Sequence, residues 1–159
     1  MDATLIRVWG NGAVCYQESI NITDDSRHGC LCVRTIYGST IFPWEWVNPP
    51  MESGVEYRTT ERHGTKPVYA QHFDFGYGPN NSNAHITKTI ENFDTIVRWS
   101  GTSSDGTAFP FANHMYSPAR VLDGIVYKNS NVLHIDLYTN ENKSKVNLYV
   151  SVFYTKNTD

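Results

Sequence analysis

The clearest element in the chain is a strand near its C-terminal end. Between Lys145 and Thr155 the residues alternate between two faces with the period of a β-strand. The predicted core face is Val146, Leu148, Val150, Val152 and Tyr154. Tyr149 and Phe153 fall on the opposite face, so the pattern predicts a half-buried strand with two aromatic rings outside the core.

A second alternating segment runs from Asn131 to Thr139. It places Leu133, Ile135 and Leu137 on one face. The other face carries Val132, His134, Asp136 and Tyr138. The polar connector from Thr139 to Lys145 is typical of a hairpin loop, so we expect the chain to end in a long β-hairpin.

Other short runs of β-branched and aromatic residues lie between Gly, Pro and Asn residues, as antiparallel strands usually do. In the C-terminal part they are Val68–Phe75, Asp94–Trp99, Val121–Tyr127 and, more weakly, Ile86–Ile90. In the N-terminal part they are Thr4–Trp9, Ala13–Gln17 and Cys30–Tyr37, with Asn11-Gly12 as the expected two-residue turn.

Two segments indicate how the chain is organised. Pro49 and Pro50 lack the backbone donors of a central strand, and the charged, Gly-containing segment after them is typical of an extended connection. We predict an N-terminal β module over 1–51, a connector over 52–66 and an antiparallel β-sandwich-like tip domain over 67–159. The whole chain is thus predicted to be all-β.

The stretch between Trp99 and Arg120 has no period and is predicted to be a long functional loop. It begins with turn formers and ends in clustered rings. Flat rings with polar edges suit the faces of sugars or of peptide chains. The alternative is that these rings anchor the loop to the core.

The amino-acid composition favours β-strands and restricts the classes of partner that the protein could bind. Val, Ile and Thr number 38, whereas Ala and Leu number 13. The net charge of -3 argues against nucleic acid, because affinity for phosphates needs a basic face. No run approaches the roughly 18 apolar residues of a membrane span, and we expect neither a membrane segment nor an export signal.

The cysteines are expected to be free thiols. There are three, and Cys30 and Cys32 are too close in sequence for an ordinary disulfide between neighbouring strands, which favours a reducing compartment. His28, Cys30 and Cys32 share one face if extended and have the chemistry of soft-metal ligands, but no fourth ligand is evident. Buried core thiols are the simpler interpretation, so we predict no metal and no cofactor.

Enzyme chemistry finds little support in the motifs. His72 and Asp74 have the spacing of a histidine–carboxylate pair that could act as a general base. No nucleophile motif such as G-x-S-x-G accompanies them, so a surface ion pair is expected. A glycosidase would need two carboxylates, and most candidates are expected to be solvated surface charges. These candidates are Asp24, Asp25, Glu45, Glu56 and Glu61. We therefore predict that the protein is not an enzyme.

Several strings of this chain are similar to one protein family. The most specific is Trp44-Glu-Trp-Val-Asn-Pro-Pro-Met51, followed by Glu56-Tyr-Arg-Thr-Thr-Glu-Arg62 and Lys66-Pro-Val-Tyr69. With Asn92-Phe-Asp-Thr-Ile96 and the terminal Tyr154-Thr-Lys-Asn-Thr-Asp159, they resemble the C-terminal region of bacteriophage and prophage tail fibre, or receptor-binding, proteins, especially those of Gram-positive bacteria. Residues 1–51 resemble the closing part of a knob-type module.

The resemblance implies a β-structured, homotrimeric tip in the virion tail, made in the host cytoplasm. It implies contacts with other tail proteins and with a bacterial surface polysaccharide or teichoic acid, without chemistry. It supplies no binding residues. From the aromatic clusters we predict the ligand-binding residues Trp99, Phe109, Phe111, His114, Tyr116 and Tyr127. The alternatives are a surface-polysaccharide depolymerase and a purely structural trimerisation domain.

Overall fold

The computed structural model describes residues 4–22, 29–109, 111–113 and 120–158, and of 111–113 and 120 the backbone alone. These residues form strands β1 Thr4–Asn11, β2 Val14–Asn21, β3 Leu31–Tyr37, β4 Thr40–Ile41, β5 Glu45–Trp46, β6 Glu56–His63, β7 Lys66–Tyr77, β8 Asn83–Thr89, β9 Phe93–Ser103, β10 Ala108–Phe109, β11 Phe111–Asn113, β12 Arg120–Asn129, β13 Val132–Thr139 and β14 Asn147–Lys156. No helix in this part of the chain has the length and hydropathy needed to cross a membrane.

The strands form two sheets. The larger has the order β1-β2-β3-β5-β6-β7-β14-β9-β10, with β4 paired to β3, and the smaller has the order β11-β12-β13-β8. Pairing between the described strands is antiparallel except between β5 and β6, where Trp46 lies opposite Thr59 in a parallel bridge. Outside these strand pairs, Ser53 forms an isolated parallel bridge with His72 of β7. The predicted all-β, antiparallel fold is confirmed.

The core lies between the two sheets, as in a β-sandwich. The larger sheet contributes the buried side chains Phe73, Phe93, Leu148, Val150, Val152 and Tyr154, and the smaller contributes Leu122, Leu133, Ile135 and Leu137. Both alternating patterns of the sequence therefore have the predicted inward face. Tyr149 and Phe153 lie outside the core, where Tyr149 stacks on His72 with ring centroids 5.7 Å apart.

The predicted C-terminal hairpin is wrong. β13 pairs with β12 and β8 in the smaller sheet, whereas β14 pairs with β7 and β9 in the larger one. The connector between them crosses from one sheet to the other, and Lys143 N donates to Pro79 O at 3.0 Å along the way. Alternation fixes a strand and its faces, but it leaves the pairing partner open.

The predicted long loop after Trp99 is largely strand in the described residues. β9 continues to Ser103, and a short turn leads into β10, where Phe109 lies opposite Gly101. The turn is closed by Gly106 N donating to Ser103 O at 2.9 Å. Small polar residues hid this hairpin from the sequence pattern because they carry no hydrophobic period.

Two further details differ from the sequence prediction. The first hairpin turn is Gly12-Ala13, one residue later than expected, because Asn11 pairs with Val14. The segment expected to be an extended connection contains β6, which forms a hairpin with β7. Gly64 has a φ of 63° in this two-residue turn, a conformation that favours glycine. The division into 1–51, 52–66 and 67–159 stays a prediction.

Candidate functional site

The outer face of the smaller sheet presents rings and polar groups to solvent. Strand alternation puts Leu122, Leu133, Ile135 and Leu137 inward, so the residues between them point outward. The register then aligns Tyr127 with His134, and Ile125 with Asp136 and His85. We call Tyr127, His134, His85, Asp136 and Tyr138 the tyrosine–histidine face.

The rings of this face contact one another in a row. Tyr127 and His134 stack with centroids 4.7 Å apart and planes 7° apart. His85 follows at 5.6 Å from His134. His85 Nδ1 also forms a hydrogen bond with the Asp136 carboxylate. The row sits on paired strands, so its geometry is fixed by the sheet and not by a loop.

The electrostatics of this face keep the phenol of Tyr127 neutral. Partial loss of solvent around its ring, together with the nearby Asp136 carboxylate, raises the pKa of Tyr127. The phenol therefore stays protonated at neutral pH. A shallow depression of about 230 Å³ lies beside the row. Its lining is Asn83, Asp123, Gly124, Ile125, Asp136, Leu137 and Tyr138.

This arrangement is suited to binding a sugar. A stacked phenol, imidazoles, an amide and carboxylates supply apolar ring faces beside donors and acceptors, which match the C–H faces and hydroxyls of a pyranose. Tyr127 is 40% exposed, so its ring is accessible from solvent. The sheet also needs no rearrangement to present these groups, which lowers the entropic cost of binding.

The structure separates the residues that the sequence grouped as a ligand site. Phe109 is 3% exposed and lies in the core, and Trp99 is half-buried against it with ring centroids 6.4 Å apart. The alternative role, anchoring to the core, fits Phe109. Among the predicted residues whose side chains the structure describes, only Tyr127 belongs to the tyrosine–histidine face. Phe111 lies in β11, where the backbone alone is described, and His114 and Tyr116 lie outside the described residues.

The other candidate residues have structural partners. His72 faces the hydroxyl of Ser151, at 3.0 Å from Nδ1, so the expected ion pair with Asp74 is replaced by this contact. Burial lowers the pKa of His72. Glu61 binds Arg98, whose guanidinium lowers the pKa of this carboxyl, opposite to the shift that a general acid needs.

The expected solvation of the glutamates needs a correction. Glu45 accepts hydrogen bonds from Arg58 and Arg62, and Glu56 accepts one from Lys156 at 2.6 Å. The three described candidates, these two and Glu61, are thus ion-paired rather than simply solvated. Asp24 and Asp25 lie outside the described residues.

The three cysteines are free thiols, as their number and spacing predict. Cys30 is buried, and Cys32 Sγ donates to Ser19 O at 3.8 Å. Burial raises the pKa of Cys32, which disfavours the thiolate that a metal needs. The described residues contain no metal-binding cluster, and His28 lies outside them.

Sequence reasoning missed most of the tyrosine–histidine face. His134, Asp136 and Tyr138 were recognised as the outward set of their strand, and this alternation was the available signal. The sequence carried no signal for His85, because the contacts of this residue across the sheet follow only from the pairing of β8 with β13. The outward residues of one strand can be recognised as part of a surface site only when the pairing of that strand with its neighbours is known.

No family model and no curated protein matches the chain. Solved structures that match include an N-truncated R2-type pyocin tail fibre, at 11% identity over 96% of this chain and 82% of that one, with a TM-score of 0.36. A C-terminal R2 pyocin fibre fragment of P. aeruginosa matches at 9% identity over 96% of this chain and 56% of its own, with a TM-score of 0.31. An R1 pyocin fibre fragment of P. aeruginosa matches at 11% identity over 95% of this chain and 57% of its own, with a TM-score of 0.28.

The chain thus spans little more than half of the two longer fibre fragments. All three matches are tail fibres, the class of protein that the sequence resemblance implies.

Proposed function

We propose that the protein is the receptor-binding tip of a phage or prophage tail fibre. It attaches to a surface polysaccharide or teichoic acid of a bacterial host, and it performs no chemistry of its own. It is made in the host cytoplasm and assembles with other tail proteins in the virion. The proposal rests on the sequence resemblance and on the surface of the smaller sheet.

The observation that carries the binding role is the stacked row of Tyr127, His134 and His85 with its carboxylate. The exposed part of these rings presents apolar surface beside polar groups, which is typical of a surface that binds a ligand. A sugar covering the row would remove apolar ring surface from water, at about 25 cal/mol per Å². The polar rim of the row would select the hydroxyl pattern.

Replacing Tyr127 and His134 together by alanine is expected to reduce the amount of protein bound to host cells by about tenfold. The two rings form the closest stack of the face. Because every copy in an oligomer carries the weakened site, the loss of affinity at one site is multiplied in the binding of the whole assembly. Binding is measured by flow cytometry of a fluorescent-protein fusion on a panel of Gram-positive strains. Tyr77→Ala is the matched control, because Tyr77 is 71% exposed on β7, away from this face.

Unchanged adsorption by the folded double variant would remove the tyrosine–histidine face from the receptor site. Adsorption lost equally in Tyr77→Ala would indicate an effect unrelated to that face. Release of reducing sugars from host capsule would instead support a depolymerase. Self-association without binding to any strain would favour a purely structural domain.

The assembly that we propose is a homotrimer, supported by the N-terminal strands. Ten of the fifteen most exposed large apolar side chains in the described residues belong to residues 4–47, among them Ile6, Val8 and Trp9 of β1. Among the described strands, β1 is also the edge of its sheet and pairs with β2 alone. An apolar edge of this kind is normally covered, and two further copies of the chain would cover it.

Light scattering is expected to give the mass of three chains of 18.1 kDa each. Ile6→Ser with Val8→Ser is expected to shift the protein toward monomer, since both apolar side chains leave the edge strand. Tyr127→Ser serves as the control for losing one exposed ring elsewhere. A wild-type monomer at micromolar concentration would contradict the trimer while leaving glycan binding open to the adsorption test.

A further inference from the structure

A groove of about 630 Å³ lies at the junction of β3, β5, β6 and the start of β7. It is separate from the tyrosine–histidine face. Its lining is Tyr16, Val33, Arg34, Thr35, Phe42, Pro43, Glu45, Arg58, Thr60, Arg62, Thr65 and Pro67. The groove thus contains three guanidinium groups and one carboxylate, in a chain whose net charge is -3.

Glu45 fixes two of the three guanidinium groups in place. Its Oε1 accepts from Arg58 Nε at 3.0 Å, and its two oxygens accept from Arg62 at 2.7 and 2.8 Å. Arg58 also donates to the hydroxyl of Tyr69 at 3.2 Å. One carboxylate balances one of these two positive charges, so the cluster keeps an excess of positive charge.

Arg34 lies on β3, the neighbour of β5 in the sheet, and its guanidinium is also fixed in place. Its guanidinium lies over the ring of Trp44, 4.4 Å from the centroid, and its Nε donates to Gln17 Oε1 at 2.6 Å. These two contacts fix the plane of the group. Its terminal amino groups have no hydrogen-bond partner among the residues that the structure describes, so they are available to a ligand.

The rest of the lining is suited to a sugar or polyol chain. Tyr16 and Phe42 supply ring surface, and Thr35, Thr60 and Thr65 supply hydroxyl groups. A planar guanidinium fork recognises a phosphate or carboxylate through two parallel hydrogen bonds. An ordinary neutral glycan would leave the positive charge of this groove unmatched.

We propose that this groove binds an oxyanion, phosphate or carboxylate, carried on a sugar or polyol chain. Arg34 binds the anion through its terminal amino groups, and Arg62 adds positive charge to the same groove. Tyr16 and Phe42 contact the carbon skeleton. The chain as a whole repels such polymers weakly, so the groove concentrates the attraction at one place. The groove gives the protein a second point of contact with an acidic surface polymer, independent of the tyrosine–histidine face.

The test titrates the full chain with glucose 6-phosphate, glucuronate and glucose, and follows the Trp44 indole and arginine Nε signals by NMR. We expect at least one charged sugar to bind, with an affinity that falls as salt rises, and glucose to leave the signals unmoved. Binding of the phosphate alone would assign the ligand to phosphate-bearing polymers, and binding of glucuronate to acidic polysaccharides. Failure of both charged sugars to bind, or equal binding of glucose, would overturn the proposal.

Two variants separate this groove from other surface charge. Arg34→Gln and Arg62→Gln are each expected to weaken binding of the charged sugar by about tenfold. Arg34→Gln removes a charge-assisted hydrogen-bonded pair with the anion, and Arg62→Gln removes a positive charge from the groove. Arg98→Gln is the control, since Arg98 binds Glu61 and lies over the Phe153 ring outside the groove. Equal weakening in all three would indicate general charge attraction and contradict the proposal. Adsorption of Arg34→Gln to host cells then shows separately whether attachment depends on the groove.

Discussion

Replacing Phe109 by alanine is expected to lower the free energy of unfolding by about 3–5 kcal/mol. The ring is 3% exposed and packs within the cluster between the two sheets. Its removal leaves a cavity against Trp99, which a rigid sheet cannot close by relaxing. Urea denaturation followed by circular dichroism measures the change. A loss below 1 kcal/mol would contradict the core position of Phe109.

A double-mutant cycle with Gly101 isolates the contact itself. A Cβ on Gly101 would lie 2.0 Å from the Phe109 ring, so the ring has to move in Gly101→Ala. Overpacking of this kind costs about 1–3 kcal/mol. In the Phe109→Ala background that clash is gone, and Gly101→Ala is expected to cost clearly less. Additive effects of the two substitutions would show that the residues do not touch.

Replacing Asp105 by asparagine is expected to cost about 2 kcal/mol of stability at neutral pH. Its carboxylate accepts from Lys143 Nζ at 2.8 Å, and the Lys143 side chain is 10% exposed. The variant leaves this ammonium with Glu141, 3.4 Å away, as its remaining carboxylate. The expected cost is below that of a fully buried pair because the Asp105 side chain is 36% exposed.

The same pair predicts a pH dependence. The hydrogen bond from Lys143, and then that from Ser103, hold the pKa of Asp105 below its usual range. A carboxyl with a depressed pKa in the folded state stabilises the protein above its unfolded pKa, near 4, and loses that contribution as the pH falls. Wild type should therefore lose more stability than Asp105→Asn as the pH falls from about 6 to about 3.

Thermal unfolding over this range measures the difference between the two proteins. Glu91→Gln is the control, because it neutralises an exposed carboxylate elsewhere. Parallel pH profiles of wild type and Asp105→Asn would rule out a contribution from this ion pair.

The sequence predicted strands and faces well where hydrophobic residues alternate. Leu133, Ile135 and Leu137 point inward in the smaller sheet, and Leu148 and Val150 do so in the larger. It failed for β10, where neighbouring small and polar residues carry no period. For the candidate site it supplied Tyr127, and it grouped Tyr127 with Phe109, which the structure places in the core.

The sequence by itself determined that the protein is all-β and which side of its regular strands is apolar. These properties are local, because successive side chains of a strand alternate whatever the strand pairs with.

The tertiary structure alone decided which strands pair and which side chains meet. β13 and β14 adjoin in sequence but belong to different sheets, so the tyrosine–histidine face is built by β8, β12 and β13. The groove at the junction of β3, β5 and β6 likewise joins Arg34, Glu45 and Arg62 from three separate strands. Such contacts depend on long-range pairing, and local periodicity carries no information about partners far apart in the chain.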